Sequence, residues 1–310
     1  MITKPVFPKP LKGIIPPLVT PLMDNENLDI EGLKILVDHV ISGGVHGLFI
    51  LGTTGESTSL PYNLRVEMIK RTCANVDGRV PILVGITDTA PSESIRLAEI
   101  AAYEGADAVV AAPPYYFNMG QPELIEYYQY LAESVRLPLY LYNMPSHTKI
   151  VIEPQTVYSL SKNRNIIGLK DSSANNVYFN SVFNLMKNRP DFTLLVGPEE
   201  LMAETVLLGC HGGINGGANM FPSLYVQLYE AASSGDLKKV KHFHAQVMVI
   251  SSKLYNVGPF ESSYLKGLKA AMSLLGICSD FIASPFSSFE KDDKEKIKIA
   301  LEEIEQMLKN

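Results

Sequence analysis

Cysteine is scarce in this chain: Cys73, Cys210 and Cys278 are its only three, far apart and in no C-x-x-C arrangement. That pattern excludes a sequence-encoded redox pair or thiolate metal site, and an odd, sparse count suits a reducing, cytoplasmic compartment. A basic excess is also missing. The 27 Lys and Arg are outnumbered by 33 Asp and Glu, so nothing electrostatic favours a nucleic-acid backbone. No run approaches the roughly 18 apolar residues that span a bilayer, so no membrane partner is expected. Residues 1–12 carry three Lys and three Pro without an apolar stretch, unlike a secretory leader. What remains is ordinary for a globular chain: 46% hydrophobic and 19% charged residues over 310 positions, a length that one α/β barrel can fill.

What is present is a repeat of pattern. Short apolar, β-branched runs occur at residues 14–20, 47–51, 81–86, 108–112, 138–142, 166–170, 192–196 and 212–215, each followed by a polar or Gly-rich cluster and a helical stretch. Leu33, Leu36, Val37 and Val40 form a 3.6-period stripe in the first of these helices, as do Leu124, Ile125, Tyr128 and Leu131 in the fourth. Pro61, Pro122, Pro154 and Pro222 mark helix starts, where a missing amide donor costs nothing, and Gly43–Gly44 marks a helix end. Strands alternating with helices build a parallel sheet covered by helices. Eight units predict a (β/α)8 barrel over residues 1–233. The loop after the first run, Pro21-Leu-Met-Asp-Asn25, lacks the glycines of an open dinucleotide-binding sheet. From 234 to 310 the strand signals stop. Helical patterns at 236–256, 260–276 and 291–308 predict a C-terminal helical layer packed on the barrel.

Barrels place their chemistry at the carboxyl ends of the strands. Three strand ends there are chemically suggestive. In Ile166-Ile-Gly-Leu-Lys-Asp171, strict alternation puts Ile167 and Leu169 on the helix side and Gly168 and Lys170 inside, with Gly168 leaving space beneath the lysine. An ammonium enclosed without an anion is costly, which favours the free amine that attacks carbonyls; the alternative is a structural lysine paired to Asp171 or Glu199. Tyr142, at the neighbouring strand end, is either a proton relay or a core phenol. The turn Gly52-Thr-Thr-Gly-Glu-Ser57 offers hydroxyls and amides to a carboxylate, or is a plain capped βα turn. Gly212-Gly-Ile-Asn-Gly-Gly217 lacks a nearby basic side chain, which favours close packing or substrate lining over phosphate binding. His242 and His244, two apart on a helix, cannot converge on one metal.

Together these segments, with Pro114-Tyr-Tyr116 and Tyr142-Asn-Met-Pro145, resemble the dihydrodipicolinate synthase and N-acetylneuraminate lyase family of class I aldolases over nearly the whole chain. The resemblance implies a lyase that makes or breaks a carbon–carbon bond between pyruvate and an aldehyde, as a homotetramer, without metal or organic cofactor. It implies an imine at Lys170, proton relay by Tyr142, and a carboxylate grip by Thr53 and Thr54. It also implies a tyrosine, Tyr116, that reaches a neighbouring subunit's site, and a pocket lined by Gly197 and by the Ile214 carbonyl. The substrate positions depart from the synthases. His147 stands where an arginine usually holds a second carboxylate, Asp171-Ser172 resembles the sugar-acid lyases, and Glu199-Glu200 match an acidic pair that holds sugar hydroxyls. Tyr62 and Thr89 replace the usual His and Asn of a lysine feedback site, whereas Gly52–Ser57 is the synthase-like loop. The expected reaction is cleavage of a 2-keto-3-deoxy sugar acid or 4-hydroxy-2-keto acid, with 4-hydroxy-tetrahydrodipicolinate synthesis as the alternative.

Overall fold

The computed structural model describes residues 7–309; residues 1–6, half of the segment bearing three Lys and three Pro, lie outside the described residues. Eight short strands form one parallel sheet: β1 (Gly13–Ile14), β2 (Leu48–Ile50), β3 (Ile82–Gly85), β4 (Ala108–Ala111), β5 (Leu139–Asn143), β6 (Ile166–Asp171), β7 (Thr193–Val196) and β8 (Gly212–Gly213). Hydrogen-bonded neighbours run in order from β2 to β8, and β8 pairs β1. The ring closes beyond the end of β1, where Leu18 N donates to Phe49 O (2.8 Å) and Phe49 N donates to Pro16 O (3.0 Å). Each expected strand is present. The first is cut short because Pro16 and Pro17 carry no amide donor and cannot continue a ladder.

Two apolar layers follow from the alternation. Ile14, Leu48, Val84, Val109, Leu141, Leu169 and Leu194 face the helices, while Ile15, Phe49, Leu83, Val110, Tyr140, Tyr142 and Leu195 fill the barrel. One expectation fails. Ile167 packs inside the barrel, not beside Leu169. The β5–β6 register slips there, Leu139 opposing Ile166 but Tyr140 opposing Gly168, so a bulge interrupts the two-residue period and re-aims one side chain. Gly168 does not leave empty space either: a Cβ there would lie 2.4 Å from the Tyr140 ring, which occupies the layer beneath Lys170.

The helix Ile30–Ser42 ends with Gly43 as its cap and Gly44 at φ +88°, as its glycines predict. Pro154 and Pro222 open their helices, Pro61 caps Tyr62–Val76, and Pro122 lies in the first turn of Gln121–Ser134. After the last barrel helix, Pro222–Ser234, three helices follow without strands: Leu237–Leu254, Ser263–Leu274 and Lys291–Leu308. The first packs on Pro222–Ser234 and is itself covered by the third.

Helix Ser263–Leu274 is pinned to the barrel by charge. Lys269, fully buried, pairs with Glu56 Oε1 at 2.6 Å and donates to the Thr20 and Phe281 carbonyls; Glu56 Oε2 accepts from Ala283 N at 2.8 Å. Breaking one side of such a pair strands a desolvated charge. Lys269→Met is therefore expected to destabilise the protein by about 3–5 kcal/mol in urea unfolding, and the Glu56→Gln, Lys269→Met double variant to recover part of that loss.

Candidate active site

The register between β5 and β6 sets Tyr142 beside Lys170 at the carboxyl ends of the strands. Lys170 is 4% exposed, and its Nζ lies 4.0 Å from the Tyr142 ring centroid and 4.9 Å from that of Phe49. Both carboxylates that could have made it a structural lysine are occupied elsewhere. Asp171 Oδ1 accepts from Asn143 Nδ2 (2.8 Å), its Oδ2 accepts from Ser173 Oγ (2.9 Å), and Glu199 is bound by two phenols and an amide. Among the described residues, Lys170 forms no ion pair, in contrast to the equally enclosed Lys269.

A cavity of about 500 Å³ opens over this lysine. Thr53, Thr54 and Tyr142 line it from the ends of β2 and β5, with His147 just beyond. Lys170, Ser172, Gly197 and Ile214 enter from β6, β7 and β8, followed by Glu199 and Glu200. The candidate residues scattered from 53 to 214 thus share one cavity, except Tyr116. That ring stands 78% exposed against Phe117, outside the cavity of its own chain.

Tyr142 hydroxyl and Thr53 Oγ1 share a hydrogen bond of 3.2 Å. Burial alone would push this phenol up. The Lys170 charge, with hydrogen bonds from Thr53, Lys170 and Ser172, outweighs burial and holds it below its usual value. A phenol so held gives up its proton more readily beside the lysine. His147 moves down as well, through burial first and through Lys149 and Lys170, against the opposing pull of Glu261, so its cationic form is disfavoured.

Both carboxylates of the acidic pair line the cavity and also have partners within the protein. Glu199 Oε1 accepts from Tyr225 (2.5 Å) and Tyr255 (3.1 Å), and its Oε2 accepts from Gly217 N (2.9 Å). Glu200 accepts from Ser251 Oγ. The glycine-rich turn is close-packed: a Cβ on Gly216 would lie 1.9 Å from the Tyr264 hydroxyl, and one on Gly217 1.8 Å from the Tyr225 hydroxyl. Among the described residues, no three His, Cys, Asp or Glu side chains are grouped to hold a metal. No helix among them is long and apolar enough to cross a membrane.

Tyr255, Glu261 and Tyr264 also line the cavity. Strand-end reasoning missed them because they come from the C-terminal helical layer, where a phenol at helical spacing looks the same whether it faces core, solvent or cavity.

An enclosed lysine with no ion-pair partner among the described residues, beside a low-lying phenol at the mouth of a (β/α)8 barrel, is the arrangement that a lyase working through a lysine imine requires. The model of the dihydrodipicolinate synthetase family matches residues 10–304, and the chain belongs to that family. It is 34% identical to the Escherichia coli K12 protein YagE, provisionally assigned as a 2-dehydro-3-deoxy-D-gluconate aldolase, over 94% of this chain and 96% of YagE. It is 32% identical to the 4-hydroxy-tetrahydrodipicolinate synthase of Methanopyrus kandleri, over 95% and 96% of the two chains. The solved structure of dihydrodipicolinate synthase from Bacteroides thetaiotaomicron superposes with a TM-score of 0.94 at 60% identity, covering 96% of this chain and all of that one.

Proposed function

We propose that this lyase cleaves a 2-keto-3-deoxy sugar acid, or a related 4-hydroxy-2-keto acid, into pyruvate and a hydroxylated aldehyde. The observation that carries this choice is the charge inventory of the cavity. Among the described residues, apart from Lys170, which the ketone consumes, its only side chain capable of positive charge is His147, whose cationic form burial disfavours, whereas Glu200 and Glu261 both line it. Lys149 borders the adjoining cavity, but its Nζ donates to Ser146 O at 2.7 Å. A second substrate carboxylate would find no bidentate cation there, while aldehyde hydroxyls would find acceptors.

In the cleavage direction, the Lys170 amine adds to the C2 ketone and water leaves, giving an iminium. Tyr142, as phenolate, takes the C4-hydroxyl proton. The C3–C4 bond breaks, its electron pair becomes the C2–C3 double bond of an enamine, and the aldehyde departs. Tyr142 returns the proton to C3, and water releases pyruvate from Lys170. Thr53 orients the phenol; Thr54 and the amides of its turn hold the substrate carboxylate. Ser172, Gly197 and the Ile214 carbonyl line the pyruvate half.

The same reading extends to assembly. Tyr116, exposed on one chain, serves the site of a neighbouring copy in a homotetramer. Residues 1–233 act as the catalytic barrel and 234–310 as the layer that completes its mouth, in a cytoplasmic enzyme that uses no metal or organic cofactor. A second reading, condensation of pyruvate with aspartate semialdehyde, is favoured by the name of the 60%-identical neighbour.

Steady-state assays separate the two. Cleavage of 2-keto-3-deoxy-gluconate or its five-carbon analogue should exceed condensation with aspartate semialdehyde in kcat/KM by about tenfold or more, the cost of lacking one charge-assisted carboxylate contact. Faster condensation would make the protein a synthase.

A further inference from the structure

We infer that Glu199 is a positioning residue for the pyruvate half of the site, acting through a cluster of three phenols instead of contacting the aldehyde. This rests on the imine reading above but not on the identity of the aldehyde. Glu199 is 4% exposed, and three donors from three separate elements converge on its carboxyl: Tyr225 from helix Pro222–Ser234, Tyr255 at the end of Leu237–Leu254, and the Gly217 amide from the turn after β8. Its two oxygens are thereby engaged inside the protein, which leaves it poorly placed to hold a sugar hydroxyl.

The cluster reaches the substrate side by contact. Tyr255 and Tyr264 meet edge to face with ring centroids 4.8 Å apart. The Tyr264 hydroxyl shares a hydrogen bond of 3.2 Å with Thr54 Oγ1, at the proposed carboxylate grip. Gly216 and Gly217 are the floor of this arrangement, since any side chain there would displace the Tyr264 or Tyr225 hydroxyl. A glycine pair in the sequence thus corresponds to two phenols that need its bare backbone.

The charge of Glu199 reaches the grip as well. Burial is the main cause that pushes this carboxyl up to about 7, assisted by Glu200 and opposed by its three hydrogen bonds. The groups facing it are Glu200, Tyr225, Tyr255 and Tyr264, and burial together with Glu199 raises all three phenols. No cation among them offsets ionisation. As the pH rises through 7, a negative charge therefore develops behind the carboxylate grip in a low-dielectric setting and opposes pyruvate binding.

Glu199→Gln and Tyr264→Phe test this. Glutamine keeps the shape and one acceptor; phenylalanine keeps the ring and removes only the hydroxyl that meets Thr54. Both are expected to raise the pyruvate concentration needed for half-maximal borohydride trapping at pH 6.5 by roughly 5- to 30-fold, the loss of one or two hydrogen bonds. With the wild type, that concentration should climb between pH 6 and 8 more steeply than with Glu199→Gln. Trapping with pyruvate alone contains no aldehyde, so the result stands whichever aldehyde is used. Unchanged pyruvate trapping, with a defect confined to KM for hydroxylated aldehydes, would make Glu199 a direct sugar ligand and overturn the inference. Loss of all trapping in wild-type protein would instead remove the imine reading itself.

Discussion

Lys170→Met is expected to leave a folded protein with no borohydride-trappable pyruvate and with kcat lowered on the order of a millionfold, as when a covalent nucleophile is deleted. The reasoning is steric and electrostatic together. Lys170 packs against the Phe49 and Tyr142 rings, an environment that an unbranched thioether fills with little repacking. Because the lysine has no ion-pair partner among the described residues, its removal strands no buried charge. The thermal midpoint should therefore stay within a few degrees of wild type, a shift corresponding to about 1 kcal/mol or less. Lys269→Met, an identical replacement at an equally buried site, should do the reverse: lose stability and keep trapping. If Lys170→Met retained a reducible pyruvate adduct, the nucleophile would have to be sought elsewhere.

Tyr142→Phe should separate imine formation from the steps that follow. The ring and its contact with Phe49 survive, and the Lys170 amine stays in place, losing only its hydrogen bond to the phenol, so pyruvate remains trappable. What disappears is the group proposed to remove the C4-hydroxyl proton and later to reprotonate the enamine. Such a relay contributes about 10²- to 10⁴-fold, so kcat should fall by that factor while the adduct persists. Thr53→Val should show the same sign with a smaller effect, since it removes only the partner that orients the phenol at 3.2 Å. A Tyr142→Phe enzyme that turns over at the wild-type rate would exclude the phenol from the mechanism.

The part of the site visible in the sequence is the part built on strands. Tyr142 and Lys170 end apolar runs whose parallel pairing follows from alternation and spacing, so their adjacency could be anticipated without coordinates. The turn 52–57 and the glycine pair 216–217 were likewise visible as chemistry-bearing loops at strand ends. Their partners were not. Glu56 belongs to a recognisable loop motif, yet its counter-ion is Lys269, 213 residues away on a helix with no distinguishing pattern. Glu199 looks like a substrate ligand in a linear motif, and only the convergence of Tyr225, Tyr255 and Gly217 shows both its oxygens engaged.

Local periodicity determined the architecture because each strand and helix must bury one face, and eight such units in a row leave little choice but to close a barrel. It also determined which loops would surround the mouth. Tertiary structure alone decided which of two buried lysines is ion-paired. A chain can specify that an amine will be enclosed by placing it on an inward-facing strand position, but whether an anion meets it there depends on side chains brought in by distant elements. For Lys269 that anion arrives from the turn after β2; for Lys170 the nearby carboxylates are held by Asn143, Ser173 and the tyrosine cluster, and the amine is left facing the cavity.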